Sequence, residues 1–180
     1  MNLSQAATTL DPKIREISEL IQSENYVLTE TSFTEKQINE EILINKVKNL
    51  TNNILEPFKK SLNESNNEIF VKILIQNIIS KVEKASFQIK FNQLGALQFS
   101  KDIRLITSFF SSITESSVRG DFSRLSNISS ILNFEKVEDI YDYWGNSSEI
   151  SWRLTSQEVR KILSNRIDFS SEVISKLIFK

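Results

Sequence analysis

Glu68-Ile-Phe-Val-Lys-Ile-Leu-Ile-Gln-Asn-Ile-Ile-Ser-Lys-Val-Glu-Lys-Ala-Ser-Phe-Gln-Ile-Lys-Phe91 is the most strongly apolar stretch of this chain. Its apolar positions Ile69, Phe70, Ile73, Leu74, Ile78, Val82, Ala85 and Ile89 recur every three or four residues, the period of a helix. The arc they cover is too broad for one neighbour, so the spacing predicts a helix packed inside a bundle. Gly95 is expected to end it, after a polar Ser61–Asn67 loop before it.

The same period runs outward in both directions. Asp11-Pro12 reads as an N-cap with proline in the first turn, followed by Ile14, Ile17, Leu20 and Ile21 on one face. Thr34 and Gln37 have capping-box spacing and open an expected stripe through Ile38, Ile42, Val47, Leu50 and Ile54, which Pro57 should bend or end. Beyond Gly95, Ser100 is the expected cap of a helix burying Ile103, Ile106, Phe109, Phe110 and Ile113. One ring of the Phe109-Phe110 pair lies off that stripe, which implies a second packing partner or an exposed apolar patch. A further helix should carry Val118, Phe122, Leu125, Ile128 and Leu132, with Gly120 as its weak point. Three short helices close the chain, from Glu135 to about Tyr143, Ser156 to about Asn165, and Ser171 to about Ile178. Gly145 ends the first of these, Thr155 with Glu158 forms a capping box for the second, and Ser170 caps the third. Alternation at period two is rare and never flanks hairpin turn chemistry. The fold class is therefore all-α, an elongated antiparallel helical bundle or stack. Residues 1–33 are expected to form an amino-terminal segment with one short helix and room for flexibility, and residues 34–180 the bundle.

Composition excludes much chemistry. The chain has 22 basic and 23 acidic residues, with neither histidine nor cysteine. Nucleophile systems built on histidine, the usual zinc sites, iron–sulfur ligation, redox dithiols and disulfides all lack their side chains. Three scattered glycines cannot build a phosphate-cradling loop. Balanced, interspersed charge argues against nucleic acid as a partner. The amino terminus lacks the basic flank and apolar run of a secretory signal, and no stretch has the apolar length of a bilayer span. The acidic group Glu135, Glu138, Asp139 and Asp142 reads as a solvated helix face, because it lacks the pattern of a calcium loop. No catalytic, cofactor-binding or metal-binding residues are assigned, and no cofactor is expected.

Two structural constellations stand out. Trp144 and Trp152 flank the Gly145 to Leu154 connection and are expected to be at least half buried, docking the last two short helices onto the helix containing Leu125. Arg124 lies on the flank of an otherwise apolar face, where a guanidinium requires a carboxylate. Glu158, at the start of a later helix, is the expected partner, with Asp168 second; Glu158 can also complete the Thr155 capping box. Arginines 104, 119, 124, 153, 160 and 166 gather in the second half, which suits fixed, forked pairing in a packed frame.

Phe122-Ser-Arg124-Leu125, Ile131-Leu-Asn-Phe-Glu-Lys-Val-Glu-Asp-Ile-Tyr-Asp-Tyr-Trp144-Gly145, Trp152-Arg-Leu-Thr155-Ser-Gln-Glu158-Val-Arg160 and Arg166-Ile-Asp-Phe169 form an ordered set of blocks. Together with Phe91-Asn-Gln-Leu-Gly95-Ala-Leu-Gln-Phe-Ser-Lys-Asp102, they resemble the carboxy-terminal region of the conserved oligomeric Golgi complex subunit 4 family. The resemblance implies a helical rod of the kind found in multisubunit tethering complexes, without catalysis. It implies a role in capturing vesicles in intra-Golgi retrograde transport, with sibling subunits and SNARE-type fusion machinery as partners. The implied location is the cytoplasmic face of Golgi membranes, by peripheral contact, and the cytosol. Family members are several times longer, so the chain is expected to be a fragment or a shortened homologue. The alternative reading is a helical adaptor outside vesicle trafficking.

Overall fold

The computed structural model describes residues 10–145 and 153–179, and among these the protein is all-α. The helices are α1 (Asp11–Gln22), α2 (Glu30–Ile38), α3 (Glu41–Lys59), α4 (Glu64–Ser86), α5 (Gln93–Ser112) and α6 (Ser123–Leu132). A single 3-10 turn, Val137–Asp139, then leads into the short α7 (Ile140–Tyr143), followed by α8 (Ser156–Ser164) and α9 (Ser171–Ser175). No described helix is long and apolar enough to cross a membrane.

The chain folds into two compact units. The first takes residues up to Glu24, Asn39–Ser86 and Arg104–Phe122; the second takes Asn25–Ile38, Phe87–Ile103 and the chain from Ser123 onward. Helix α5 contributes to both, up to Ile103 in the second unit and from Arg104 in the first.

In the first unit α4 buries Phe70, Val71, Leu74, Ile75, Ile78, Ile79, Val82 and Ala85, a double stripe that packs against both α1 and α3. It begins earlier than its apolar run, because Asn63 Oδ1 accepts the Asn66 amide at 2.9 Å and caps a polar first turn. The expected Ser61–Asn67 loop is thus shorter than its composition suggests. Helix α1 buries Ile14, Ile17 and Ile21 against the same neighbours. Asp11 is not its N-cap: Leu10 holds that position, and the Asp11 carboxylate pairs with Lys81 Nζ at 2.8 Å and Arg15 Nη2 at 3.3 Å.

The stripe expected from Ile38 onward is interrupted at Asn39–Glu40, where α2 stops. Ile38 and Ile42 are 76% and 53% exposed, and α3 instead buries Leu43, Ile44, Val47, Thr51, Ile54 and Leu55. Thr34 caps nothing, since its hydroxyl donates to the Glu30 carbonyl; the cap of α2 is Thr29, whose Oγ1 accepts the Ser32 amide at 3.1 Å. Pro57 sits in the last turn of α3, where it withholds only the amide that would bond the Asn53 carbonyl, and the helix continues past it to Lys59.

Glu68 closes the first unit. Its Oε1 accepts the Thr114 hydroxyl and the Ser116 amide, the latter at 2.9 Å, fixing the chain just after α5. The Thr114 bond above all, then the Ser116 amide, lowers its pKa from 4.5 to about 2. Because the folded value is depressed, the contribution is present above the ordinary value and is lost as pH falls from 4.5 toward about 2. The protection of the Ser116 amide, measured against its intrinsic exchange rate, should therefore fall across that window, and Glu68→Gln should lower that protection at neutral pH and remove most of its pH dependence.

The second unit is built on a feature the sequence reading missed. Tyr26, Phe91 and Arg166 form two isolated parallel bridges, with Asn92 N donating to Tyr26 O at 3.1 Å, Phe91 N to Asn165 O at 2.8 Å and Ile167 N to Phe91 O at 2.8 Å. Three segments from distant parts of the chain thereby satisfy one another's backbone groups. The rings of Tyr26, Phe91 and Phe99 pack mutually at centroid distances of 5.2–5.4 Å.

Helix α5 starts immediately after this junction. Asn92 caps it, its Oδ1 accepting Gly95 N at 2.9 Å and Leu28 N at 3.1 Å while its Nδ2 donates to Leu28 O at 2.7 Å. The expectations for Ser100 and Gly95 are corrected here. Ser100 lies inside α5 and accepts from the Ser129 hydroxyl, and Gly95 lies in the first turn of α5 rather than at the end of α4. A methyl group at Gly95 would overlap the Tyr26 carbonyl, so the glycine permits close backbone approach. A buried polar chain ties α2 to α5: Tyr26 Oη donates to Asp102 at 2.8 Å, Gln98 Nε2 to Asp102 at 2.7 Å, and Gln37 Nε2 to Gln98 Oε1 at 2.6 Å. Val118 and Phe122 are buried in the turn before α6 rather than within it.

Candidate interaction surface

Arg124, on the first turn of α6, donates from Nη2 to Glu158 Oε1 at 2.7 Å and from Nη1 to the Arg153 carbonyl. Glu158 uses its other oxygen on Thr155, accepting the backbone amide at 2.8 Å, while Glu158 N donates to Thr155 Oγ1 at 3.2 Å. One carboxylate thus completes the capping box of α8 and binds α6. Burial pushes the Glu158 carboxyl up, but the bonds from Arg124 and Thr155 outweigh it and hold it below the ordinary carboxylate range. With side chains 33% and 30% exposed, the pair lies between a solvated bridge and a buried one. A double-mutant cycle on Arg124 and Glu158 should return a coupling of about 1–2 kcal/mol, larger than for exposed pairs because the bonds are charge-assisted.

Asp168, the second candidate for Arg124, is held by Arg166 instead. Arg166 is 2% exposed and forks onto Asp168, Nε to Oδ1 and Nη2 to Oδ2, both at 2.8 Å. Its Nη1 donates to the carbonyls of Leu132 and Phe134, and its guanidinium lies 4.1 Å from the Phe169 ring centroid. The Arg166 bonds lower the Asp168 pKa. Arg166 and Asp168 meet within a turn, closed by Phe169 N donating to Arg166 O at 3.2 Å, so neither helical nor strand periodicity signals the pair.

These contacts position the end of the chain. Val159, Ile162 and Leu163 bury one face of α8, and Arg160 on its flank donates from Nη2 to Leu177 O at 2.6 Å. Its guanidinium lies 4.8 Å from the Phe179 ring, which meets Trp144 edge to face at 4.7 Å. Ile178 N donates to the Tyr141 hydroxyl at 3.1 Å, and Tyr143 stacks on Phe134 at 5.2 Å. Gly145 turns the chain just beyond, with φ 151°, a conformation that side chains disfavour. Trp144 is partly buried, and Trp152 lies outside the described residues.

The outcome is an aromatic corner with an exposed apolar surface. Tyr141 is 47% exposed, Tyr143 53% and Ile178 66%. Glu138 and Asp142, four residues apart, share the face beside Tyr141, and neither makes a side-chain hydrogen bond or ion pair among the described residues. Asp139, by contrast, accepts the amides of Glu135 and Lys136. No group of three or more acidic side chains converges as a metal site among the described residues. The corner can therefore bind by shape, apolar contact and charge.

Residues 3–161 match the family model described as conserved oligomeric Golgi complex subunit 4, C-terminal. Over 178 residues, or 97% of the chain and 24% of the relative, the sequence is 36% identical to conserved oligomeric Golgi complex subunit 4 of Arabidopsis thaliana. The same-named protein of Dictyostelium discoideum is 34% identical over 95% of the chain and 19% of its own length. That of Homo sapiens is 34% identical over 95% of the chain and 22% of its own length. The chain thus spans about a quarter or less of the length of these curated relatives.

Proposed function

The chain belongs to the family of conserved oligomeric Golgi complex subunit 4 carboxy-terminal regions, and from that premise we propose that it works in that complex as a non-enzymatic, helical interaction unit. Its task on this reading is vesicle tethering in intra-Golgi retrograde transport, at the cytoplasmic face of Golgi membranes and by peripheral association. Its partners are sibling subunits of the complex and SNARE-type fusion machinery. The single observation that carries the reading is the family match over residues 3–161. An exposed aromatic corner held by Arg160 supports a role in contact rather than catalysis, because a fixed surface can recognise a partner without further ordering.

Affinity purification of the tagged chain from its own cells, followed by mass spectrometry, tests this. Sibling Golgi-complex subunits should be recovered in stoichiometric amounts, and the tag should co-localise with Golgi membranes. Recovery of a soluble chain with no sibling subunit at endogenous expression would overturn the proposal.

A further inference from the structure

We infer that the aromatic corner docks a basic amphipathic helix of a partner protein, with an apolar residue of that helix seated on Tyr141 and Ile178 and its Lys or Arg side chains paired to Glu138 and Asp142. The inference rests on the interaction-unit reading above and names the chemistry of one partner.

Two properties of the corner select this occupant. The first is exposed apolar area in a fixed frame. The Tyr141 hydroxyl accepts from Ile178 N at 3.1 Å, so the tyrosine ring and the 66% exposed Ile178 form one continuous surface. Behind it, the Phe179 ring is held between Trp144 at 4.7 Å and the Arg160 guanidinium at 4.8 Å. Aromatic surface that is already ordered costs little conformational entropy on binding and suits the centre of an interface.

Charge supplies the second property. Glu138 and Asp142 fall at i and i+4 and so share one face, with Tyr141 at i+3 on its edge, which sets an acidic row along one side of the exposed ring. No cation pairs with either among the described residues, unlike Asp11, Glu158 and Asp168, whose partners are all in place. Lys or Arg residues spaced one turn apart on an apposed helix match this acidic row, and the apolar face beside them meets the ring. An anionic helix or an anionic lipid surface would instead face two uncompensated carboxylates.

The purified chain, titrated with a fluorescent synthetic helix carrying leucines on one face and lysines one turn apart beside them, provides the test. Companion peptides replace the lysines by glutamate or glutamine, and vesicles of phosphatidylserine serve as the membrane arm. The lysine peptide should bind, more weakly at higher salt, and lose about ten-fold in affinity against Glu138→Lys/Asp142→Lys. Both substituted positions are exposed, so folding is preserved and is verified by circular dichroism. Ile178→Ser should weaken the lysine and glutamine peptides alike. Equal binding of the glutamate peptide, unchanged affinity of the charge-reversed variant, or binding to the vesicles in preference to the peptide would overturn the inference. Because the measurement uses the isolated chain, a failure here leaves co-purification with Golgi-complex subunits intact, and a failure there leaves this measurement intact.

Discussion

Arg166→Ala is expected to destabilise the second unit by about 3–5 kcal/mol, because two carbonyls lose their donor at about 1–3 kcal/mol each and side-chain packing is lost with them. The guanidinium is 2% exposed, and its bonds reach Asp168, the Leu132 carbonyl and the Phe134 carbonyl. Removing it leaves those two carbonyls, at and just beyond the C-terminal end of α6, without this donor, and empties the space over the Phe169 ring. Asp168 adds less to the loss, because it is 41% exposed and water can solvate it once the arginine is gone. Asp168→Asn should also be costly, by more than about 1 kcal/mol, because it leaves a guanidinium that is 2% exposed without its carboxylate. Arg166→Lys should recover only part of the loss, since one ammonium cannot fork onto a carboxylate and reach two carbonyls at once. Urea unfolding of the three variants, with amide exchange at Ile167, measures the order. An Arg166→Ala variant within about 1 kcal/mol of the parent would contradict a central role for the network.

Gly95→Ala is expected to cost at least about 3 kcal/mol, reversing the usual sign for this substitution in a helix. Alanine inside a helix ordinarily gains about 1 kcal/mol over glycine. Here the added methyl would occupy the position of the Tyr26 carbonyl. That oxygen is backbone, and it accepts from Asn92 N at 3.1 Å, so no side-chain rotation relieves the overlap. Either α5 or the Tyr26 segment must shift, which opens the bridge to Phe91 and disturbs packing among three buried rings. Gly120→Ala is the control, because nothing lies within 4 Å of a methyl group there. A lowered denaturation midpoint and faster exchange at Asn92 in the Gly95 variant alone would establish the close approach as the cause. Equal midpoints for the two variants would refute it.

The sequence by itself determined the helical class, the family, and those helix ends whose signals act within one turn. Thr155 with Glu158 and Ser170 cap as their spacing indicates, because a cap needs only the amides two or three residues on. The reading that gave Arg124 a carboxylate on α8 rested on the cost of a lone guanidinium on an apolar flank, and Arg124 does lie 2.7 Å from Glu158. Only the tertiary structure decided where α5 begins, since Asn92 and Ser100 are comparable caps locally and Asn92 prevails through its bonds to Leu28, far away in sequence. It also decided the role of Gly95, which depends on Tyr26, and the hub at Arg166, whose acceptors lie on the Leu132–Phe134 segment. The offset of the α3 stripe has the same origin: exposed Ile38 and Ile42 fit the helical period as well as buried Leu43 and Ile44 do. Period and capping report free energies local to a few residues, whereas these choices turn on contacts that exist only once distant segments meet.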